Sequence, residues 1–138
     1  MQETAVRFAI CDDDKVYAEK MKALILQTFH LPQPVECVIY LNQEQILKCY
    51  REDKIDIVFM DICMPEMNGL QMIAALNSQF PDLEVSVLTG YRDFEYAKEA
   101  IRLGVTRFLL KPSNMDELEE AIECMCANLN LAHFSRVF

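Results

Sequence analysis

Four short motifs occur in a fixed order along this chain: Asp12-Asp13, Asp61, Thr89-Gly90 and Lys111-Pro112, each following an apolar run. Together they hold three carboxylates, one hydroxyl and one ammonium. Three carboxylates within about 5 Å of one another repel by about 3 kcal/mol per pair at an effective dielectric near 20. A hard divalent cation offsets such repulsion; Mg²⁺ is commonly held by one or two carboxylates while it contacts phosphate. A lone Asp ending an apolar strand is costly unless it is used, and a carboxylate can attack phosphorus to form an aspartyl phosphate. Thr89 could donate its hydroxyl to a phosphoryl oxygen, and Lys111 could place its ammonium on another. Lys111-Pro112 is also a candidate for a cis peptide that aims the lysine into a cleft. Asp13 or Asp14 is suitably placed to cap a following helix, which explains one acid but not all of Asp12, Asp13 and Asp61.

These groups converge only if the chain brings them to one edge. The pattern alternates strand and helix five times. Arg7–Cys11 reads as the first strand, and Lys15–Phe29 as a helix with Tyr17, Met21, Leu24 and Thr28 on one stripe and Ile25 beside it. After Pro32 and Pro34, Val35–Leu41 reads as the second strand, and Asn42 with Gln45 as a capping box opening a helix to about Glu52. Asp56–Met60 is a near-continuous apolar run, typical of a strand buried on both faces. A loop from Pro65 to Gly69 leads into a third helix ending near Phe80, followed by a strand over Glu84–Leu88. A fourth helix over Asp93–Leu103 stops at Gly104, a C′ glycine. Thr106–Leu110 is the fifth strand, and Asn114 with Glu117 is a second capping box. The fifth helix carries an apolar stripe of Leu118, Ala121, Ile122, Met125 and Leu129. Short loops with this alternation predict a parallel five-stranded sheet covered on both faces. In such sheets the strand carboxyl ends gather at one edge, where sites form.

With 138 residues the chain is long enough for one domain with a substantial core, and no second domain is expected. No apolar run approaches the roughly 18 residues a membrane span needs, and the start lacks a basic flank, so a cytoplasmic location is expected. A net charge of −9 argues against direct nucleic-acid binding by this domain. The acidic run Asp116, Glu117, Glu119, Glu120 and Glu123 reads as a solvated helix face. The six cysteines include no C-x-x-C pair, and read as reduced small hydrophobes.

The motifs resemble those of response-regulator receiver domains of two-component signalling. The residues carrying the resemblance are Ala9-Ile10-Cys11-Asp12-Asp13-Asp14, the block Asp56 to Gly69 with its Met60-Asp61-Ile62-Cys63-Met64-Pro65, Val87-Leu88-Thr89-Gly90-Tyr91, and Phe108-Leu109-Leu110-Lys111-Pro112. It covers about residues 6–127, leaving 130–138 as a tail, either the last turns of the fifth helix or a linker. It implies an α/β, flavodoxin-like (βα)5 domain with strand order 2-1-3-4-5. It also implies that Asp61 accepts a phosphoryl group from a sensor histidine kinase. Asp12, Asp13 and Asp61 would hold Mg²⁺, or Mn²⁺ in its place, helped by the backbone carbonyl of Cys63. Thr89 and Lys111 would read the phosphate. Phe108 would be the switch aromatic, coupled to a surface of the fourth helix, fifth strand and fifth helix that could form a homodimer. Such a domain is a switch rather than a metabolic enzyme, though it assists its own phosphorylation and dephosphorylation.

Other readings fit less well. An FMN binder of the same topology needs a Ser/Thr/Gly-rich loop where this chain has Asp12-Asp13-Asp14. A haloacid-dehalogenase-type phosphatase needs a second Asp where this chain has Cys63. No Gly-rich Lys-Ser/Thr loop is present for a P-loop NTPase. The remaining alternative is a receiver-fold docking or dimerisation module that does not switch. The stretch Tyr91 to Ala100 resembles receivers fused to AraC-type domains, and the opening through Asp14 also occurs in receivers fused to LytTR domains. A transcriptional output is therefore expected.

Overall fold

The computed structural model describes residues 5–30, 34–42, 44–46, 48, 55–62, 69–80, 82–90, 95, 98–99, 102, 104–105, 107–111, 115–129 and 135–136. Five strands form the main sheet: β1 (Val6–Cys11), β2 (Val35–Tyr40), β3 (Ile57–Asp61), β4 (Glu84–Thr89) and β5 (Arg107–Leu110). Their order is β2-β1-β3-β4-β5, and every pairing is parallel. The expected topology is therefore the observed one. Three helices are α1 (Lys15–Thr28), α2 (Gly69–Gln79) and α3 (Met115–Asn128). Residues 44–46 and 48 are also helical, as are 95, 98, 99 and 102. These are the described parts of the expected second and fourth helices.

Side chains alternate across each strand, and the core divides accordingly. On one face Ala9, Val58, Met60, Val85 and Val87 pack with Met72, Ile73 and Leu76 of α2. On the other, Phe8, Ile10, Phe59, Leu88 and Leu109 pack with Ala18, Met21 and Ile25 of α1 and Leu118, Ala121, Ile122 and Met125 of α3. Every residue of β3 is buried, as its continuous apolar run implies. Ser86 lies fully buried beneath α3, where its hydroxyl donates to Met125 Sδ at 3.3 Å. Cys11, Cys37 and Cys126 are buried and unbridged, the expected small hydrophobes.

Several local expectations need correction. The buried stripe of α1 is Ala18, Met21 and Ile25, whereas Leu24 is 42% exposed. The helix is turned so that Tyr17 lies half-buried at the stripe's edge. α1 ends at Thr28 rather than Phe29, because Phe29–His30 pairs antiparallel with Ser135–Arg136. The last helix stops at Asn128, and the described tail residues Ser135–Arg136 are paired as a strand. At the second helix Asn42 Oδ1 accepts from Gln45 N at 2.9 Å, but Gln45 Oε1 accepts from Leu41 N at 2.6 Å, one residue before the usual capping-box partner. Asn114 lies outside the described residues. Gly104 has φ 95°, which fits its expected place beyond a helix end.

Candidate phosphoryl-transfer site

The strand registers bring the motifs to one edge. Cys11, just before Asp12, pairs with Met60, just before Asp61. Asp61 pairs with Leu88, and Thr89 with Leu110. The amide of Lys111 then donates to the carbonyl of Thr89 at 2.9 Å, and that of Asp12 to Tyr40 at 3.0 Å. Asp12, Asp61, Thr89 and Lys111 are thus held by backbone at the carboxyl edge, the place sequence reasoning assigned them. Asp13 projects from the first loop and is exposed.

One oxygen from each of Asp12, Asp13 and Asp61 lies within 4.8 Å of the others. Asp12 is fully buried and Asp61 nearly so. Lys111 Nζ stands between them, 2.8 Å from Asp12 Oδ2 and 3.3 Å from Asp61 Oδ2. It donates a hydrogen bond to Asp61. Its approach to Asp12 is an ion pair that is not directed as a hydrogen bond, so Asp12 Oδ2 keeps no hydrogen-bond donor among the described residues. Asp12 Oδ1 instead accepts from Asp14 N at 2.9 Å. The Lys111 ammonium also lies over the Tyr17 ring, 4.7 Å from its centroid.

Burial pushes the Asp12 carboxyl above its ordinary range; Lys111 and the Asp14 amide pull it back only in part, while the charge of Asp61 adds to the rise. Burial works against the Lys111 ammonium too, but pairing with Asp12 and Asp61 outweighs it, and its affinity for the proton rises. The two outcomes differ because Lys111 faces two carboxylates, whereas the fully buried Asp12 faces one ammonium and the like charge of Asp61. Cys11, beside them, is pushed up to about 12 by burial and by the charges of Asp12, Asp61 and Asp13. It is therefore a neutral thiol at physiological pH.

The donor set suits a hard cation. All three candidate ligands are carboxylates, and Asp12 Oδ2 is a buried oxygen short of a hydrogen-bond donor. Cys63, the expected carbonyl ligand, lies outside the described residues, as does Pro112. Thr89 is fully buried, and its hydroxyl donates to the Gly90 carbonyl at 3.1 Å. Phe108 is half-buried and packs on the α2 side of the sheet.

The sequence leaves one role open between two residues and misses another. The acid that caps α1 is Asp14, whose Oδ1 accepts from Tyr17 N at 3.1 Å. Tyr17 belongs by spacing to an apolar stripe, yet its ring faces the lysine. An aromatic in the first turn after an acidic loop was the available signal.

Residues 8–123 match the family model described as the response regulator receiver domain. The chain is 41% identical over 73 residues to the transcriptional regulatory protein YesN of Bacillus subtilis (strain 168), covering 53% of this chain and 20% of that one. It is 26% identical over 123 residues to the transcriptional regulatory protein DegU of Brevibacillus brevis, covering 89% and 51%. The REC domain of AraT, a response regulator from Geobacillus stearothermophilus, superposes with a TM-score of 0.76 at 28% identity, covering 92% and 97%. The signal receiver domain of a DNA binding response regulator from Colwellia psychrerythraea 34H gives 0.78 at 22% identity, covering 88% and 98%, a likeness of fold. The chain spans about a fifth of the length of YesN and about half that of DegU.

Proposed function

Because the chain belongs to the response-regulator receiver family, we propose that it is a phospho-accepting switch in which Asp61 takes a phosphoryl group from a histidine of a partner sensor kinase. The observation that carries this reading is the shared cation. Lys111 Nζ lies 2.8 Å from Asp12 and 3.3 Å from Asp61 at the carboxyl edge of the sheet. A lysine so held fixes the nucleophilic carboxylate and is one short step from an incoming phosphoryl oxygen. In the transfer, the P–N bond of the donor phosphohistidine breaks as an O–P bond to Asp61 forms. Asp13 and Asp61 would hold Mg²⁺, or Mn²⁺ in its place, directly, with Asp12 acting through water and the Cys63 carbonyl completing the set. When bound, that ion would neutralise charge on the phosphoryl oxygens and orient them toward the carboxylate.

The response then belongs to the chain. The Thr89 hydroxyl leaves the Gly90 carbonyl for a phosphoryl oxygen, and Phe108 turns into the space released. The surface of the fourth helix, β5 and α3 changes shape, a local charge event with a wider readout. Leu110 on β5 is 39% exposed, which supports a role for this face in self-association or output docking. The named relatives are transcription regulators, so the switch is proposed to act on transcription through a further domain. The net charge of −9 disfavours nucleic-acid contact by this one. On this reading the domain is a switch rather than a metabolic enzyme, and it assists its own phosphorylation and dephosphorylation.

The test is incorporation of phosphate from acetyl phosphate in the presence of Mg²⁺. Wild-type protein is expected to take up label and Asp61→Asn, with an unchanged circular-dichroism spectrum, to take up none. Undiminished labelling of Asp61→Asn would overturn the assignment. Absence of label in the wild type would favour a docking module instead.

A further inference from the structure

The phospho-acceptor reading gives Lys111 a task but does not say what aims it. Two carboxylates pull the ammonium toward the cluster from the sheet side, and α1 meets it from the other. Lys111 Nζ lies 4.7 Å from the centroid of the Tyr17 ring, inside the range in which an aromatic face attracts a cation. That ring has little freedom to wander. Asp14 Oδ1 caps the Tyr17 amide at 3.1 Å, and the next residue, Ala18, is fully buried against the sheet. Tyr17 itself packs on the core that α1 shares with α3.

We propose, resting on that reading, that Tyr17 is a positioning residue for Lys111: its ring face holds the ammonium over the carboxylates and so governs how fast Asp61 accepts phosphate. The chemistry of the contact suits the task. A hydrogen bond is directional and must break when Nζ moves from Asp61 to a phosphoryl oxygen. Attraction to a ring face is broad, so the ammonium can shift by an ångström or so (on the order of a hydrogen-bond displacement) without losing it. The ring also shields a lysine whose side chain is only 21% exposed.

The experiment compares initial rates of Mg²⁺-dependent labelling from phosphoramidate for wild type, Tyr17→Phe and Tyr17→Leu, each with Lys111 intact and in a Lys111→Ala background. Tyr17→Phe keeps the ring and is expected to match wild type. Tyr17→Leu keeps bulk without a π face and is expected to be slower by about two- to fivefold, the range for a partly exposed cation–π pair. With Lys111→Ala that difference should vanish, because the ring acts through the lysine. Equal rates for Tyr17→Leu and wild type would overturn the inference. So would an equal loss in both backgrounds, which assigns Tyr17 to helix packing alone. A second reading needs no phosphate: the Lys111 Cε protons should resonate upfield in wild type and Tyr17→Phe and lose that ring-current shift in Tyr17→Leu. An unchanged lysine resonance in Tyr17→Leu overturns the contact itself. Wild-type protein that shows the ring-current shift but takes no label overturns the phospho-acceptor reading, and with it the role of the ring in uptake.

Discussion

Asp12 carries an electrostatic cost in the site. It is fully buried, and burial, with the charge of Asp61 in the same sense, raises its pKa above the ordinary 3.8. A carboxyl with a raised folded pKa binds its proton more tightly folded than unfolded. Stability therefore falls as pH rises from the ordinary carboxylate value through the raised one, and stays lower above it. In metal-free protein, Asp12→Asn should remove this penalty and be the more stable form at pH 7. The gap should narrow on acidification toward the ordinary carboxylate value, since the wild-type acid then gains its proton. Urea denaturation of both proteins across that range measures the difference directly, and a wild type more stable than Asp12→Asn at pH 7 without metal would contradict it. Lys111 has the opposite place on the scale. Its raised affinity for the proton is a stabilisation present below its unfolded value and lost only as pH climbs through the folded one, above neutrality.

Among the elements, α1 does two jobs with neighbouring residues. Asp14 caps its amino terminus through Oδ1, and the capped residue is Tyr17, whose ring meets Lys111. The cap is not one of the three carboxylates of the cluster. Asp14→Ala should therefore cost about 1 kcal/mol of stability, the usual loss for an Asp cap. It should leave divalent-cation affinity near the wild-type value. Thermal melts with and without Mg²⁺ separate the two effects: an unchanged midpoint without metal would remove the cap from the account, and a lost Mg²⁺ shift would place Asp14 in the metal site. At the other end of the sheet, α3 is joined to β4 by Asn128 Nδ2 donating to Glu84 Oε1 at 2.6 Å and to β5 by the Arg107–Glu120 pair at 3.0 Å. Both contacts are at the surface, so their worth is small; the buried Leu118, Ala121, Ile122 and Met125 hold the helix.

Across the whole molecule, the site straddles the sheet. By strand alternation Asp61 shares the face of Phe59 while Thr89 shares that of Val87, and these belong to opposite cores. Lys111 follows Leu109 on the α1/α3 face, whereas Phe108 packs on the α2 face. A phosphoryl group at Asp61 adds about −1.5 to −2 charges, on one face, while the hydroxyl and aromatic proposed to respond belong to the other. The signal must then cross the sheet edge through β4 and β5, which are paired at Val87↔Phe108 and Thr89↔Leu110. Amide NMR of the apo form against a beryllofluoride–Mg²⁺ form should show shifts running through residues 84–89 and 107–111. Shifts confined to residues 12–14 and 61–62 would mean the change does not travel this way.

The parallel sheet and the meeting of Asp12, Asp61, Thr89 and Lys111 at one edge could be read from local patterns, apolar runs ended by polar residues, whereas the strand order followed only from the resemblance to receiver domains. In a parallel sheet such runs have one place to end. Gly104 and the buried stripe of α3 were legible for the same reason: a backbone conformation or a helical period is written in neighbouring residues. The rest depended on what distant parts of the chain present to each other. Asp13 and Asp14 are chemically equal as caps, and the hydrogen bond from Tyr17 N to Asp14 chose between them. Leu24 and Ala18 compete for the core on α1, and the rotation of that helix against the sheet buried the smaller one. The tail was open between helix and linker, and its pairing with Phe29–His30 required two segments more than a hundred residues apart to come together. Tyr17 has an apolar body and a π face, and only the approach of Lys111 from the far end of the sheet made the face count.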